Sequence, residues 1–393
     1  MRVLLLVLLL WAGLLAAAPA GATAVCTAVA NPTLPFGNIN SNAPGPSTAN
    51  LNITVTCTTA ALSLLATTGV RVCVGIGAGS GGGSSSTFRT MATSSSDTLN
   101  FQLYNNASFG QATGLVPRGT PPAQELTMTY NVPLVTGGSG AQSIQLFGQI
   151  PANQILASGA YSSTFSGANV VLTWAWNEVL LGTATVPATC NGGATGTNSA
   201  SAAFSFTATA NVLPQCGSYV TTTMDFGNVA GGIPANIDRT ATLTLTCLKN
   251  TAFQVGLDNG QNNPTATTTR RMATTLGGST YYLAYELYRD SARSLRWGNT
   301  LTVDTASGTG TGSAQQLTIH GRVPPVSGQP PAGTYNDLVT VTITYGPACR
   351  PTVGTHRTKA VPSAGSALQF RHIPPIPRSK SFSMVDGRWF AHS

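Results

Sequence analysis

Residues 26–57 read CTAVANPTLPFGNINSNAPGPSTANLNITVTC, and residues 216–247 read CGSYVTTTMDFGNVAGGIPANIDRTATLTLTC. In both, the opening cysteine is followed ten residues later by Phe-Gly-Asn, at Phe36-Gly37-Asn38 and Phe226-Gly227-Asn228, and a second cysteine comes 21 residues after that phenylalanine. Each second cysteine closes a run that alternates apolar with small polar residues, LNITVTC at 51–57 and ATLTLTC at 241–247. Such a period of two marks a strand with one buried face. Spacing that recurs to the residue means that one structural unit is present twice.

Outward from these stretches the matches continue in order. Arg89-Thr90-Met91-Ala92 answers to Arg271-Met272-Ala273, and Leu103-Tyr104 to Leu287-Tyr288. Gly148-Gln149-Ile150-Pro151 answers to Gly321-Arg322-Val323-Pro324, then Gly159-Ala160-Tyr161 to Gly333-Thr334-Tyr335. Runs such as LVTVTITY at 338–345, broken at short intervals by Gly, Pro, Asn and Ser, read as all-β in the manner of a β-sandwich. No helical period is sustained after the first residues. The expected organisation is a first domain over 25–190, a linker of small polar residues over 191–202 (NGGATGTNSASA) and a second domain over 203–345.

The 393 residues carry a formal charge of +8, yet only 8% are charged. Residues 346–393 hold Arg350, Arg357, Lys359, Arg371, Arg378, Lys380 and Arg388 against Asp386 alone. Apart from these and Arg2, 11 basic residues face 10 acidic ones, so a folded basic footprint for nucleic acid is not expected. Residues 1–24 read as a secretory signal: Arg2, an apolar run over 3–15, and a small-residue cleavage site at 20–24. That run is short for a membrane anchor. Residues 346–393, with the basic charge and three of the four histidines, read as a patternless tail without regular structure, either a basic appendage or a reading frame run past its natural stop.

Seven cysteines in an exported chain imply disulfides, and the absence of C-x-x-C argues against zinc and thioredoxin-like chemistry. Cys26–Cys57 and Cys216–Cys247 close equal loops. Cys73 pairs with Cys190 within the first domain, or Cys190 pairs with Cys349 across the two.

The twice-occurring C-x9-F-G-N opening, T-C strand end, R-x-M-A, L-Y and G-x-[IV]-P…G-x-Y close are similar to the spore coat protein U domain family, which includes subunits of archaic, Csu-type chaperone–usher pili. The V-C-V-G-I-G run around Cys73 and the F-S-G-A run at 165–168 look like the first domain of two-domain members. The resemblance implies tandem immunoglobulin-like sandwiches, each lacking its last strand. A periplasmic chaperone, and after passage through an outer-membrane usher an adjacent pilin, would fill the gap by strand addition. It also implies that two-domain members sit at the fibre tip as adhesins, with a coat or shaft role without receptor binding as the alternative.

After cleavage, at most residues 23–25 precede Cys26, too few to form a donor strand of about five residues. Phe204, Phe206, Ala208, Ala210 and Val212 alternate with polar residues, so this segment is either a donor completing the first domain within the chain or simply the first strand of the second. The second domain's last clear strand ends at Tyr345, ahead of Gly346-Pro347, which leaves an uncovered edge that requires a partner.

Enzyme chemistry finds little support. Outside the tail there is one histidine, His320, and no G-x-S-x-G, H-E-x-x-H or P-loop motif. The G-x-G-x-x-G at 77–82 is a Gly/Ser turn with no helix to follow. Asp225, Asp238, Asp258 and Asp304 lack EF-hand spacing, so no cofactor or metal is expected. Candidates for contact with an abiotic or host surface are Leu134, Val135, Trp174, Trp176, Val179, Leu180 and Leu181, together with ALSLL at 61–65. Trp174 and Trp176 also suit a core, since residues i and i+2 of a strand share a face.

Overall fold

The computed structural model describes residues 23–41, 45–61, 65–264, 267–346, 380–385 and 388–392. The expected signal segment at 1–22, Cys349 and most of the basic tail lie outside the described residues. The chain divides into two compact units. The first comprises residues up to Gln154 and Ala160–Val212, and the second Ile155–Gly159 and Leu213 onward.

Unit 1 is built from β1 (Ala24–Ala30), β2 (Thr33–Ile39), β3 (Ser47–Thr59), β4 (Ala66–Ile76), β5 (Arg89–Ala92), β6 (Thr98–Tyr104), β7 (Gln124–Val132), β8 (Gly138–Ile150), β9 (Gly159–Phe165), β10 (Val170–Leu180), β11 (Gly196–Ser201) and β12 (Phe206–Val212). Eight strands form one sheet in the order β1-β3-β8-β6-β5-β9-β12-β2, and four form the other, β11-β10-β4-β7. Alternation does the sorting: in β3, Leu51, Ile53, Val55 and Cys57 are buried while Asn52 and Thr54 face out. The sheets meet through side chains such as Trp174 of β10, whose Nε1 donates to Ala24 O of β1 at 2.8 Å. This is an immunoglobulin-like sandwich.

Unit 2 repeats the plan with β13 (Cys216–Thr221), β14 (Ile237–Cys247), β15 (Ala252–Leu257), β16 (Arg270–Leu276), β17 (Ser279–Tyr288), β18 (Ala306–Thr309), β19 (Ala314–Val323), β20 (Val341–Tyr345), β21 (Lys380–Val385) and β22 (Arg388–His392). Its sheets run β13-β14-β19-β17-β16 and β18-β15-β20-β21-β22. Leu243 and Leu245 of β14, Val255 and Leu257 of β15, and Val341 and Ile343 of β20 fill the space between them.

Three disulfides hold the units. Cys26–Cys57 and Cys216–Cys247 join directly opposed residues of β1/β3 and β13/β14, each with Cα atoms 4.0 Å apart. Cys73–Cys190 ties β4 to the segment after β10. Closing loops of 31 residues removes about 4 kcal/mol of chain entropy per bridge from the unfolded state.

Three boundaries differ from the sequence reading. Residues 191–202 are not simply a linker, because 196–201 form β11, paired antiparallel to β10 from Trp176↔Gly196 to Val171↔Ser201. Small residues are required there, since a Cβ on Gly196 would lie 2.5 Å from the Trp176 ring. Residues 204–212 belong to unit 1, not to a second domain starting at 203. Finally, the tail expected to lack regular structure contains β21, paired antiparallel to β20, and β22 beside it. In the sequence, KSFSMV and RWFAH flank Asp-Gly, a pair that favours tight hairpins, a local signal diluted by the composition of the whole tail.

Candidate functional site

The place where the two units differ most is the gap between the Phe-Gly-Asn segment and the Gly-x-Tyr segment. In unit 1, β12 fills it. The strand runs parallel to β2, from Thr207↔Thr33 to Val212↔Ile39, and neighbours β9 on its other side. Phe204, Phe206, Ala208, Ala210 and Val212 all point inward and are buried. Phe206 stacks on Phe165 with centroids 4.5 Å apart; Phe165 meets Phe101 edge-on, and Phe101 meets Phe36 likewise. Asn211 Nδ2 donates to Asn38 Oδ1 at 2.9 Å, tying the strand to the Phe-Gly-Asn motif itself.

In unit 2 the same frame is present, and no strand of the described residues fills it. Gly37 and Gly227 both adopt positive φ, +70° and +82°, so the motif makes the same turn in each copy. Phe226 meets Tyr285 edge-on at 6.0 Å, as Phe36 meets Phe101. The bridge Ala92↔Ser162 recurs as Ala273↔Asn336. Among the described residues, however, no strand pairs with 225–229. The counterparts of the side chains that β12 covers in unit 1 are therefore more exposed in unit 2. Leu34, Phe36, Met91 and Tyr161 are buried, whereas Met224, Phe226, Met272 and Tyr335 are partly exposed. Ile39 is 5% exposed and its counterpart Val229 is 47% exposed. Met224, Phe226, Met272, Tyr285, Tyr335 and Val339 line the resulting cleft.

The cleft has a polar support at its rim. Tyr285 Oη donates to Asp337 Oδ2 at 2.7 Å, and Asn262 N donates to Oδ1 at 3.1 Å. Burial pushes the Tyr285 phenol well above its ordinary range and raises the Asp337 carboxyl.

Below the gap, each unit buries one arginine of the R-x-M-A motif. Arg89 Nε donates to Gly77 O (2.6 Å), Nη2 to Ile76 O (2.8 Å) and Thr113 O (2.7 Å), and Nη1 to Gln102. With no carboxylate beside it, burial lowers its pKa to about 9. Its counterpart is Arg270, the arginine that the R-x-M-A spacing sets two residues before Met272. Arg270 donates to Asp258 O, Leu257 O and Trp297 O and pairs with Glu286, which stands where unit 1 has Gln102. Arg271, one residue on and facing the other way, stacks on Tyr282 at 3.8 Å.

The apolar candidates of unit 1 separate into two groups. Trp174 and Trp176 are buried and belong to the core, which corrects their assignment to the surface; β10 is covered on both faces at that level, by the other sheet and by the segment following it. Leu134, Val135, Val179, Leu180 and Leu181 are exposed, with Val135 at 87% and Leu181 at 74%. The register brings them to one end of the four-stranded sheet, since Leu180 pairs with Ala66 and Ala66 with Val132. Leu181 N donates to Leu65 O at 2.9 Å, adding exposed Leu65 to the group. Gly137 (φ +69°) lets the 133–137 loop close against the backbone of 59–61, where a Cβ would lie 2.5 Å from Thr59 O. Residues 62–64 lie outside the described residues. Neither 131–137 nor 179–187 contains a charged residue, so this end offers an apolar contact surface.

The Cys73, Glu125 and Cys190 side chains converge, but the Cys73–Cys190 disulfide occupies both sulfurs, so the cluster has no thiolate for a metal.

The family model for the Spore Coat Protein U domain matches residues 12–167 and 202–342. Protein U of Myxococcus xanthus is 36% identical over 138 residues, which cover 31% of this chain and 72% of that protein. Among solved structures, the CsuC–CsuE chaperone–tip adhesion subunit pre-assembly complex from the archaic chaperone–usher Csu pili of Acinetobacter baumannii aligns at 16% identity and a TM-score of 0.36, covering 81% of this chain and 99% of that one. The CupB6 tip adhesin of Pseudomonas aeruginosa aligns at 10% identity and a TM-score of 0.31, covering 83% and 95%.

Proposed function

Because the chain belongs to the spore coat protein U domain family, we propose that it is a two-unit subunit at the end of a chaperone–usher fibre. In this reading the protein is exported, is not an enzyme, and acts by binding. Unit 2 accepts an extended strand, first from a periplasmic chaperone and then, at the outer-membrane usher, from the adjacent pilin. Unit 1 has its gap filled by its own β12 and takes no partner strand. Since β12 is consumed within the chain, the subunit receives one strand and has no comparable strand to pass on among the described residues. This supports a position at a fibre end. The exposed apolar end of unit 1 then meets an abiotic or host surface, which supports attachment and biofilm formation.

One observation carries the proposal: Met224, Phe226 and Met272 are partly exposed and Val229 is exposed, where Leu34, Phe36, Met91 and Ile39 are buried under β12. Such a face left open is an aggregation hazard unless a partner covers it. A synthetic peptide of residues 203–213 serves as the test ligand for the full chain. The reading expects it to raise the melting transition of unit 2 and to leave that of unit 1 in place. A peptide that binds nowhere, or only by displacing β12, contradicts it. The family's description as a spore coat domain favours one other reading, a coat or shaft component that joins through sheet edges and binds no receptor.

A further inference from the structure

The hairpin β16–β17 in unit 2 is longer than its counterpart in unit 1. The β5–β6 pairing ends at Ala92↔Thr98, and a polar turn, Thr-Ser-Ser-Ser-Asp at 93–97, closes it with Thr93 N donating to Asp97 O at 2.9 Å. In unit 2 the equivalent pair, Ala273↔Tyr282, is followed by Thr274↔Tyr281, Thr275↔Thr280 and Leu276↔Ser279. Gly277 and Gly278 then turn the chain with φ of +56° and +81°, positive at both central positions as a tight two-residue hairpin turn requires. The extension carries Leu276, Tyr281 and Tyr282 exposed, and residues 272–284 contain no charge. An exposed edge would ordinarily be blunted by a lysine or a proline. Here it is blunted by neither.

The hairpin continues the acceptor cleft. Along β17, Leu287, Tyr285, Leu283 and Tyr281 share one face, and the first two line the cleft. Chain polarity fixes what comes next to it. In unit 1, β12 runs parallel to β2, and β2 ends at Ile39, from which the chain enters β3 at Ser47 opposite Ile150. Shortly after Ile150, Gln154 bonds Asn100 N and O beside the β5–β6 turn. Val212 therefore leaves the gap at the end where that turn lies. A strand entering the unit 2 cleft in the same sense leaves beside the Gly277-Gly278 hairpin. In this chain β12 ends at Val212 and the next strand, β13, begins at Cys216. A subunit that donates a strand as β12 is donated has its folded body within a few residues of the exit.

We propose that the β16–β17 hairpin is a second docking surface, for the folded body of the same subunit whose strand fills the cleft. This inference rests on the acceptor reading of unit 2. The contact is apolar and aromatic, with Tyr281 and Leu276, which share the cleft face of the hairpin, as anchors. It stiffens the joint between subunits beyond what one strand provides.

Photo-crosslinking in the intact protein tests it. The photoreactive residue p-benzoylphenylalanine is placed at position 226 in one variant and at position 281 in another, and fibres sheared from producing cells are irradiated and mapped by mass spectrometry. The expected result is that both positions trap the same family subunit, position 226 through its donated strand and position 281 through its folded body. If position 226 traps a strand and position 281 traps nothing, or only that strand, the hairpin contact is overturned and the acceptor reading stands. If position 226 traps nothing, the acceptor reading falls and the hairpin contact with it.

Discussion

Phe206 lies flat on Phe165, ring centroids 4.5 Å apart and planes 9° from parallel, while the counterpart of Phe165 in unit 2, Val339, borders a cleft that no strand of the described residues fills. The two copies thus present the same receptor frame once occupied and once open. The occupied copy states what the open one is shaped to take: a strand with a large apolar residue first, small ones in the middle and a β-branched one last.

Truncating Phe206→Ala removes a buried ring from the centre of the unit 1 cluster. It is expected to cost about 3–5 kcal/mol of unit 1 stability, read by denaturant unfolding. Deleting residues 203–212 is expected to abolish the cooperative melting of unit 1 and to leave that of unit 2. An unchanged unit 1 transition would mean that β12 is an accessory strand.

The repeat supplies its own control for the open cleft. Ile39→Ala is expected to destabilise unit 1 by about 2–5 kcal/mol, since its side chain is buried under β12. Val229→Ala, at the matching position, is expected to shift unit 2 by less than about 0.5 kcal/mol in the chain alone. It is expected to weaken binding of the 203–213 peptide. Equal losses at both sites would show that the cleft is already covered.

Much of this was legible beforehand, for physical reasons. Cross-strand disulfides impose fixed loop lengths, so Cys26–Cys57 and Cys216–Cys247 register as an exact repeat. One-sided burial imposes alternation, so β3 and β14 stand out. Alternation also marks 204–212 as a strand, but cannot say which sheet receives it, because pairing is a long-range choice. β11 carries no apolar alternation, because its small residues lie against Trp176. The R-x-M-A spacing picks Arg270 out of the doublet Arg270-Arg271, and the facing of β16 buries it. The exposure of Leu134, Val135 and Leu181, against the burial of Trp174 and Trp176, follows from where β10 leaves the sheet.

The Arg270 pair offers an electrostatic test. Glu286 bonds both Arg270 and Arg296, whose Nε lies 2.9 Å from Oε2. Glu286→Gln keeps the shape, as Gln102 does beneath Arg89, but removes the countercharge of a buried guanidinium. Unit 2 is expected to lose about 1–3 kcal/mol, read as a lowered melting transition with unit 1 unmoved.

Acid sensitivity of unit 2 has a local source in Asp290. Leu295 N donates to its carboxylate at 2.7 Å, and Ser294 N and Oγ donate as well, holding its pKa at about 2 against 3.8 for the free side chain. A carboxyl whose folded pKa lies below the unfolded one stabilises fully above the unfolded value, and the contribution fades as pH falls toward the folded one. Asp290→Asn is therefore expected to lower the unit 2 transition at neutral pH. Its gap from the parent should narrow between pH 3.8 and 2. A gap that stays constant with pH would assign the loss to shape alone.

Polar substitution of the apolar end separates binding from folding. Leu180→Ser with Leu181→Ser is expected to leave the unit 1 melting transition within about 0.5 kcal/mol, because both side chains are exposed. It is expected to reduce attachment of producing cells to hydrophobic plastic, scored by retained cells under flow. Leu134→Ser with Val135→Ser is expected to act alike. Retained attachment with both pairs changed would move the contact surface elsewhere.

The position of the subunit in the fibre decides between the readings most directly. Immunogold electron microscopy of producing cells, with antibody raised against residues 25–200, is expected to show gold confined to fibre ends. Label spaced along the shaft, or on cells that carry no fibres, would contradict a subunit that accepts a strand and passes none on.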